Sequence, residues 1–259
     1  MTGASRGIGA ACAAAFRRRG CLLCLTGRDE SALRRNSATE DLVMAGDIRD
    51  DEFRSRLVAS AVERFGRIDI LVNNAGAGIY WPPSGAPLNE VRGMFELNLF
   101  APLSLSQVVL PHMRERNSGC IVNISSMGGE VMLPWISLYC ASKFALSALT
   151  SALRSELAGT GIHAMTVCPG YVATDFKTNA VGPRPPAALM GPPSTGGSRF
   201  SVTPQQCAEA ILRGIQRNAR VVVTPRSGWL LIGAQRLFPG LVESRLTAFM
   251  KSLESEAAA

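Results

Sequence analysis

The chain has 259 residues, of which 47% are hydrophobic and 18% charged, so it is long enough and apolar enough to bury the core of one α/β domain. Its formal net charge of +7 would suit an anionic ligand or a nucleic acid, but apart from Arg17–Arg19 the basic residues are scattered singly, which does not favour binding to DNA or RNA. Only two histidines, His112 and His163, are present, and this argues against a zinc site or a Ser-His-Asp triad, so no metal is predicted.

A glycine-rich segment, MTGASRGIG, opens the chain, and apolar residues at helical spacing follow it up to a stop at Gly20. Glycines allow a tight turn and a close approach of the backbone, and the free N–H groups at a helix start attract a diphosphate. The segment therefore predicts a nucleotide ligand. Its spacing is G-x-x-x-G-x-G, which differs from the more general dinucleotide fingerprint G-x-G-x-x-G.

The segment TGASRGIG as a whole resembles the cofactor loop of the short-chain dehydrogenase/reductase family. The resemblance implies a single Rossmann-type domain over residues 1–259, with a doubly wound parallel sheet, and a nicotinamide cofactor held by Gly3, Ser5, Arg6, Gly7, Ile8 and Gly9. It also implies a buried first strand, yet only Met1 precedes Thr2. We expect either that the true start lies upstream or that the sheet lacks its central strand, which would leave two strand edges unpaired in the core.

The next predicted strand, residues 21–26, contains Cys21 and Cys24 in the apolar run CLLCL. None of the seven cysteines has the spacing of a disulfide framework, so we interpret them as buried thiols in a reducing compartment. We recognise neither a signal peptide nor a run of about 18 apolar residues without charges, and we therefore predict a cytoplasmic location.

The end of this strand, TGRDE, bears on the choice of cofactor. Where an NAD-dependent relative would place an acid against the ribose, Gly27 aligns and Arg28 follows. Arginine binds a 2′-phosphate, which a carboxylate would repel, so Arg28 and Arg6 favour NADP(H) over NAD(H). Asp29 is the rival, because a shift of one residue in the alignment would make it the ribose ligand.

Two further strands are predicted on either side of an amphipathic helix at residues 51–65. The first, residues 42–45, leads into GDIRD, where the resemblance implies that Asp47 contacts the adenine ring and that Ile48 packs against it. The second, residues 68–76, ends in NNAG. By resemblance, Asn74, Ala75 and Gly76 are neighbours of the cofactor.

A helical pattern from Leu88 to Arg116 contains Pro102. Because proline has no N–H, the carbonyl group of Asn98, four residues earlier, loses its usual partner and is free to hold a water molecule. The family has an asparagine at this position that bends the helix and anchors a water leading toward the lysine. Asn98 is therefore a candidate for a proton relay, the alternative being a simple kink in a core helix.

The segment YCASK places Tyr139 and Lys143 four residues apart, on one face of a predicted helix. A nearby positive charge favours the tyrosinate, so we expect the pKa of Tyr139 to be lowered toward the working range. Ser126 follows the predicted strand GCIVNIS and stands thirteen residues before Tyr139, the position of the family's catalytic serine, whereas Ser125 is one residue too early.

This resemblance implies an oxidoreductase that transfers hydride between a nicotinamide and a carbonyl or alcohol. Tyr139 would be the general acid or base, Ser126 would hydrogen-bond the carbonyl oxygen, Lys143 would bind the ribose, and Asn98 would hold the relay water. The alternatives are a catalytically silent nucleotide-binding protein and a membrane-associated reductase of lipid, steroid or retinoid carbonyls. Residues 1–180 carry most of the resemblance.

The rest of the chain comprises a sixth strand, residues 163–168, a segment containing Val172 and Thr174, and a region rich in Pro, Gly and Ser at residues 176–203. By resemblance, Val172 and Thr174 lie near the nicotinamide carboxamide, and residues 176–203 form the substrate lid. A helix at residues 204–218 and a last strand in ARVVVTP follow.

The apolar tail, residues 227–259, has an interrupted helical pattern with a break at Pro239-Gly240. We interpret it first as a core or subunit contact and second as a peripheral membrane contact. A homodimer or homotetramer, formed through the helices that carry Asn98 and Tyr139, is expected by resemblance.

Overall fold

Parallel strands form the centre of the fold. The structure is a computed structural model that describes residues 1–174, 176, 180–183 and 199–258, with the backbone alone for residues 250 and 252–258. Most of the predicted lid, at 177–179 and 184–198, lies outside the described residues. The strands are β1 Cys24–Gly27, β2 Leu42–Ala45, β3 Ile70–Asn73, β4 Gly119–Ile124, β5 Ile162–Pro169, β6 Tyr171–Val172, β7 Ser201–Val202 and β8 Val221–Thr224.

The strands β3-β4-β5-β8 form one parallel sheet, β1 pairs with β2, and β6 pairs with β7. Strands β1 and β3 are shorter than the sequence patterns predicted. Strand β1 contains only the residues that pair with β2, and β3 contains only the residues that pair with β4. The carboxyl ends of the parallel strands share one edge, which is where α/β sheets bind ligands.

The first residues of the chain lie between β1 and β3. Thr2 forms a parallel bridge with Thr26, and its N–H donates to the carbonyl oxygen of Val72 at 3.0 Å. The N–H of Thr26 donates to Met1 O, and the N–H of Ala4 donates to Thr26 O. This single bridge stands where the resemblance implied a buried first strand, and it supplies partners to backbone groups that would otherwise be orphaned between the two sheets.

The helices are α1 Gly7–Arg17, α2 Glu30–Arg35, α3 Asp51–Phe65, α4 Leu88–Phe95, α5 Ala101–Glu115, α6 Ser137–Glu156, α7 Pro204–Gln216, α8 Gly228–Leu237 and α9 Pro239–Ala258. Local signals set several of the ends. Asp50 caps α3 through Glu52 N–H, and Gly66 ends it in the left-handed region, with φ 75°. Thr203 and Gln206 form a capping box at the start of α7.

Two apolar clusters cover the two faces of the sheet, which makes the fold the doubly wound α/β arrangement that the sequence predicted. One cluster joins α1 and α7 to the strands and includes Cys12, Phe16, Leu25, Val122, Val167, Cys207 and Ile211. The other joins α3 and α5 to the opposite face and includes Phe53, Leu57, Leu71, Leu105, Val109, Met113 and Ile121.

The stretch from Leu88 to Glu115 is the one helical segment, among the described residues, whose length and hydropathy would allow it to cross a membrane. In the fold, α5 instead packs against α3, β3 and β4. A π-helical turn, Glu96–Phe100, separates α4 from α5 and contains Asn98. The extra residue in this turn, together with Pro102 in the first turn of α5, accounts for the interruption that the sequence predicted.

The C-terminal tail forms α8 and α9, with the break at Phe238. Ile232 packs into a third apolar cluster with Met127 and Val223. Leu237 lies on the outside of the domain and is 74% exposed. The tail is thus partly a core contact and partly an exposed apolar surface.

Candidate active site

The glycine loop is closely packed against the end of β3. Gly3 and Gly7 have φ of +63° and +57°, a region that side chains with a Cβ rarely adopt. A Cβ on Gly9 would lie 2.2 Å from the carbonyl oxygen of Gly3, and a Cβ on Gly7 would lie 3.1 Å from Thr174 Cγ2. The loop therefore needs its glycines, and the helix that follows it begins close to the backbone of the loop.

Helix α1 begins at Gly7 after Arg6, which is extended. Within the described part of the chain no side chain caps this helix start, and its first turn, GIGA, contains no acid. The unpaired N–H groups and the positive end of the helix dipole are the features that bind a diphosphate. Ile8, the next residue, is half-buried and packs on the core.

Two asparagines hold the glycine loop from opposite sides. Asn74 Nδ2 donates to the carbonyl oxygens of Thr2 and Gly3 at 3.0 and 3.1 Å, and the N–H groups of Asn74 and Ala75 both donate to Thr2 Oγ1 at 3.0 Å. On the other side, Asn36 Nδ2 donates to the carbonyl oxygens of Ala4 and Ser5. Asn74 and Ala75 thus fix the loop, and Asn36 is a loop contact that sequence reasoning missed.

The far end of the loop faces the end of β1. A Cβ on Gly27 would lie 3.6 Å from Ser5 Oγ, so Ser5 and Gly27 adjoin. Arg28 is exposed beside them, and its charge helps to lower the pKa of Asp47 after the larger effect of Arg49. Arg6 likewise contributes, as a minor cause, to the lowered pKa of Asp29. Arg6 and Arg28 therefore lie at the same end of the groove.

Asp29, the rival ribose ligand, is the N-cap of α2. Its Oδ1 accepts hydrogen bonds from the backbone N–H of Ala32 at 2.9 Å and from the Ser31 hydroxyl at 3.2 Å. These bonds are the main reason why the pKa of Asp29 is lowered. One carboxylate oxygen is thus committed to the helix start.

The predicted adenine contacts of Asp47 and Ile48 stay predictions, and the structure shows what the two side chains contact within the protein. Asp47 accepts hydrogen bonds from Arg49, with Nη2–Oδ2 at 2.6 Å, and Arg49 is the main reason why the pKa of Asp47 is lowered. Ile48 is only 4% exposed and belongs to the core on the α3 and α5 side, so its side chain offers little surface to an adenine ring. Arg49 is a third arginine near this end that the sequence did not single out.

Ser126 and Tyr139 lie together at the carboxyl end of β4. Ser126 caps a 3-10 turn, Met127–Gly129, and its Oγ accepts from the N–H of Gly128 at 3.0 Å. A Cβ on Gly128 would lie 3.4 Å from Ser126 Oγ and 3.7 Å from Tyr139 Cε1. Ser126 is close enough to Tyr139 that its hydroxyl acts to lower the pKa of the phenol.

Ser125 points elsewhere. Its hydroxyl donates to the carbonyl oxygen of Lys143 at 3.0 Å and lies 2.9 Å from Ser147 Oγ. The two adjacent serines therefore have separate tasks. Ser125 ties β4 to the backbone of α6, and Ser126 faces the phenol.

Lys143 is buried beside Tyr139. Its Nζ lies 5.8 Å from the centroid of the Tyr139 ring and donates to the carbonyl oxygen of Ile124 at 2.9 Å. A Cβ on Gly76 would lie 3.3 Å from this Nζ, so the strand-end residue Gly76 leaves room for the ammonium. Burial lowers the pKa of Lys143 to about 8.

The pKa of Tyr139 is raised, in contrast to the lowering that the sequence predicted. Burial is the largest cause, and it outweighs the opposing hydrogen bond with Ser126. The physical reason is that removing a phenolate from water into this apolar surrounding is more unfavourable than one hydrogen bond is favourable. At neutral pH the phenol therefore keeps its proton.

Asn98 is fully buried, and its side chain is held at three points. Its Oδ1 accepts from the N–H of Ala77 at 2.9 Å, and its Nδ2 donates to the carbonyl oxygen of Ala77 at 2.9 Å and to Ser142 Oγ at 3.0 Å. Ser142 in turn donates to the carbonyl oxygen of Tyr139. Asn98 thereby links the end of β3 to the helix that carries Tyr139.

The chain returns to the site after β5. Val172 lies in β6, and Thr174 packs against Gly7, so this segment closes the groove beside the glycine loop. Phe176, which sequence reasoning did not single out, stacks on Tyr139 with a distance of 5.5 Å between the ring centroids. The structure thus brings the glycine loop, Ser126, Tyr139 and the residues after β5 to one edge of the sheet.

Comparisons with known proteins agree with this arrangement. A family model described as short chain dehydrogenase matches residues 1–183. The ketoacyl reductase HetN of Nostoc is 34% identical over 229 residues, which cover 86% of this chain and 76% of that protein. A short-chain dehydrogenase structure from Streptomyces avermitilis is 30% identical with a TM-score of 0.80, covering 98% of this chain and 96% of that one.

A third relative is the 3-ketoacyl-(acyl-carrier-protein) reductase from Brucella melitensis, solved in complex with NADH. It is 25% identical with a TM-score of 0.76, over 87% of this chain and 96% of that one. The family model and the HetN alignment each span more than half of the chain. On this evidence the chain belongs to the short-chain dehydrogenase/reductase family.

Proposed function

We propose that the protein is an NADP(H)-dependent oxidoreductase that interconverts a carbonyl compound and its alcohol, with Tyr139 as the general acid and base. The observation that carries the proposal is the contact of the Tyr139 and Ser126 side chains at the strand end, beside a buried Lys143. A bound nicotinamide would supply the hydride. The glycine loop, whose N–H groups and close packing suit a diphosphate, would hold it.

The protonation states of Tyr139 and Lys143 favour the reductive direction. Because burial keeps the Tyr139 phenol protonated at neutral pH, it can donate a proton to a carbonyl oxygen as negative charge develops there. Ser126 would donate a second hydrogen bond to the same oxygen. Lys143, a cation below pH about 8, would bind the ribose hydroxyls, and Asn98 would hold the water that restores the proton.

The two adjacent serines give a matched test of this role. We expect Ser126→Ala to lower kcat for ketone reduction by about 100-fold, since it removes a donor from the developing oxyanion. Ser125→Ala, which removes a hydroxyl bonded to the α6 backbone, should change kcat by less than about threefold. Equal losses in the two variants would refute the assignment.

A silent nucleotide-binding protein would take up NADPH, seen by its fluorescence, but would reduce nothing in a broad panel of carbonyls.

The preference for NADP(H) rests on Arg6 and Arg28 at the end of β1 and on the engagement of Asp29 as a helix cap. The Brucella relative was solved with NADH, so NAD(H) is the alternative that the test must exclude. We expect Arg28→Ala to weaken NADPH binding about tenfold and NADH binding by less than twofold. A larger loss for NADH would identify the enzyme as NAD-dependent.

A homo-oligomer is the expected assembly. Phe100 in the π-helical turn and Phe144 in α6 are both exposed apolar side chains on the helices that carry Asn98 and Tyr139. Light scattering after gel filtration should give a dimer or tetramer, and Phe144→Asp should reduce its mass. A monomer for the unmodified chain would contradict this expectation.

A membrane-associated reductase is a second candidate, because α8 and α9 expose Leu230, Leu237, Phe238 and Leu241 near Arg245. Flotation with vesicles containing anionic lipid tests it. The full chain should float, and a chain lacking residues 227–259 should not. Flotation of neither would leave the tail as a contact within the protein or between its copies.

A further inference from the structure

An aromatic ring, that of Phe176, packs against the ring of Tyr139. The ring of Phe176 lies 5.5 Å from the ring of Tyr139, centroid to centroid, and is tilted by 60°. A Cβ on Gly78 would lie 3.0 Å from Phe176 Cε1, so the Phe176 ring is held between Gly78 and the phenol. Phe176 is nevertheless 37% exposed, which leaves part of its ring free to meet another molecule.

A second tyrosine reaches the same place. Tyr80 is buried, and its proximity adds to the raised pKa of Tyr139. Tyr171 in turn adds to the raised pKa of Tyr80, whose main cause is burial.

Backbone pairing holds Val181 and Gly182 against the segment that carries Tyr80. Ile79 and Val181 form a parallel bridge, in which the N–H of Tyr80 donates to Val181 O at 2.8 Å and the N–H of Val181 donates to Gly78 O at 3.1 Å. Gly182 has φ +112°, and a Cβ there would lie 2.3 Å from the carbonyl oxygen of Tyr80. Gly78 thus contacts Phe176 through space and pairs with Val181 through its backbone, which places Tyr80 on the same segment as the residue that packs on Phe176.

The charged side chain beside the phenol is Lys143, whose Nζ lies 5.8 Å from the ring centroid and already donates to the carbonyl oxygen of Ile124. Among the described residues, the side chains that shift the pKa of Tyr139 are Ser126, Cys140, Tyr80 and Cys168, and burial or neighbours raise the pKa of both thiols. All four are neutral at pH 7. An ammonium on the substrate would therefore lose its hydration beside a like charge, and a carboxylate would compete with the ribose for Lys143, whereas an apolar group would gain contact with the Phe176 ring.

We infer that Phe176 and Tyr80 form an aromatic wall that selects uncharged ketones or aldehydes with an aryl or bulky alkyl substituent on the carbonyl. The inference rests on the proposed function and names the substrate class of that site. In the reaction the carbonyl carbon gains hydride, the carbonyl oxygen gains the Tyr139 proton, and NADPH is oxidised to NADP⁺. The wall holds the substituent so that the oxygen reaches Tyr139 and Ser126.

Three ketones test the inference because they differ in one group at a time. Acetophenone carries the aryl group, acetone lacks it, and phenylglyoxylate replaces the methyl group of acetophenone with a carboxylate. We expect kcat/KM for acetophenone to exceed that for acetone at least about tenfold, because the aryl group is buried against the wall. It should exceed that for phenylglyoxylate by a similar factor, because the carboxylate loses hydration in the site. Phe176→Ala should lower kcat/KM for acetophenone about tenfold, mainly by raising KM. The same substitution should change kcat/KM for acetone by less than about threefold.

Phe238→Ala is the control, because it makes the same substitution at a position that is 61% exposed on the tail. It should change none of the three values. Phe176→Leu, which keeps apolar bulk but loses the flat ring, should fall between the unmodified protein and Phe176→Ala. NADPH titration of each variant should give unchanged affinity, which separates loss of the wall from loss of the fold.

The inference is overturned if Phe176→Ala behaves like Phe238→Ala, or if phenylglyoxylate is the preferred substrate. Failure of the proposed function looks different. In that case the unmodified protein binds NADPH and reduces none of the three ketones or any other carbonyl in a broad panel.

Discussion

Replacing Lys143 by methionine should make the protein more stable at neutral pH while it removes a functional group. Burial lowers the pKa of Lys143 from 10.5 to about 8. At about 1.4 kcal/mol for each pKa unit, the buried ammonium costs about 3 kcal/mol wherever both the folded and unfolded states are protonated, which is below pH 8. Methionine has a similar length and no charge, so this cost disappears.

The variant also loses the hydrogen bond from Nζ to Ile124 O, and leaving that carbonyl unpaired costs about 1 kcal/mol. We therefore expect Lys143→Met to raise the free energy of unfolding by about 2 kcal/mol at pH 7. Between pH 8 and 10.5 the unfolded state binds more protons at this residue than the folded state does, so the lysine protein gains stability as the pH rises. The difference in the free energy of unfolding between the variant and the lysine protein should therefore shrink between pH 8 and 10.5. Near pH 10.5 the variant should be the less stable protein, by about 1 kcal/mol.

Urea unfolding of both proteins at pH 7, 9 and 10.5, in the presence of a thiol reductant, measures this difference. Several buried cysteines have raised pKa values and make the stability of both proteins fall as the pH rises above 9. Subtracting one protein from the other cancels that contribution. A difference that does not vary with pH, or a variant that is less stable at pH 7, would refute the account of Lys143 as a buried cation.

Two further substitutions test the frame of the site. Gly9→Ala would place a Cβ 2.2 Å from Gly3 O, so the loop must shift. We expect the affinity for NADPH, measured by fluorescence titration, to fall at least about tenfold. Unchanged affinity would show that the loop does not hold the cofactor. Asn98→Ala should lower the free energy of unfolding by about 3 kcal/mol in urea, because it leaves the N–H and C=O of Ala77 without partners. A loss below about 0.5 kcal/mol would mean that water replaces the amide.

Local signals made much of the fold predictable. The bounds of α3 agree with the sequence pattern because Asp50 and Gly66 mark both ends within the chain itself. Ser126 was separable from Ser125 by its spacing to Tyr139, and the structure adds the reason, since Ser125 is bonded to the backbone of Lys143.

Features that depend on distant contacts were not predictable in the same way. Asn36 holds the glycine loop from about thirty residues away, and nothing in its neighbourhood along the chain marks it. Asn98 likewise bonds to Ala77, twenty-one residues away, and its spacing to Pro102 does not reveal that contact. The sign of the Tyr139 pKa shift was wrong because spacing along a helix reveals a neighbouring charge but not the depth of burial, and burial is the larger effect.

The proton of Tyr139 is the centre of this account, and the turnover of Tyr139→Phe tests it most directly. Oxidation of NADPH by a ketone should be followed for the variant and the unmodified protein at cofactor concentrations that saturate both. We predict that the variant binds NADPH with nearly the same affinity and that its turnover falls below about a thousandth of the original. Normal turnover by the variant would contradict the assignment of Tyr139 as the proton donor.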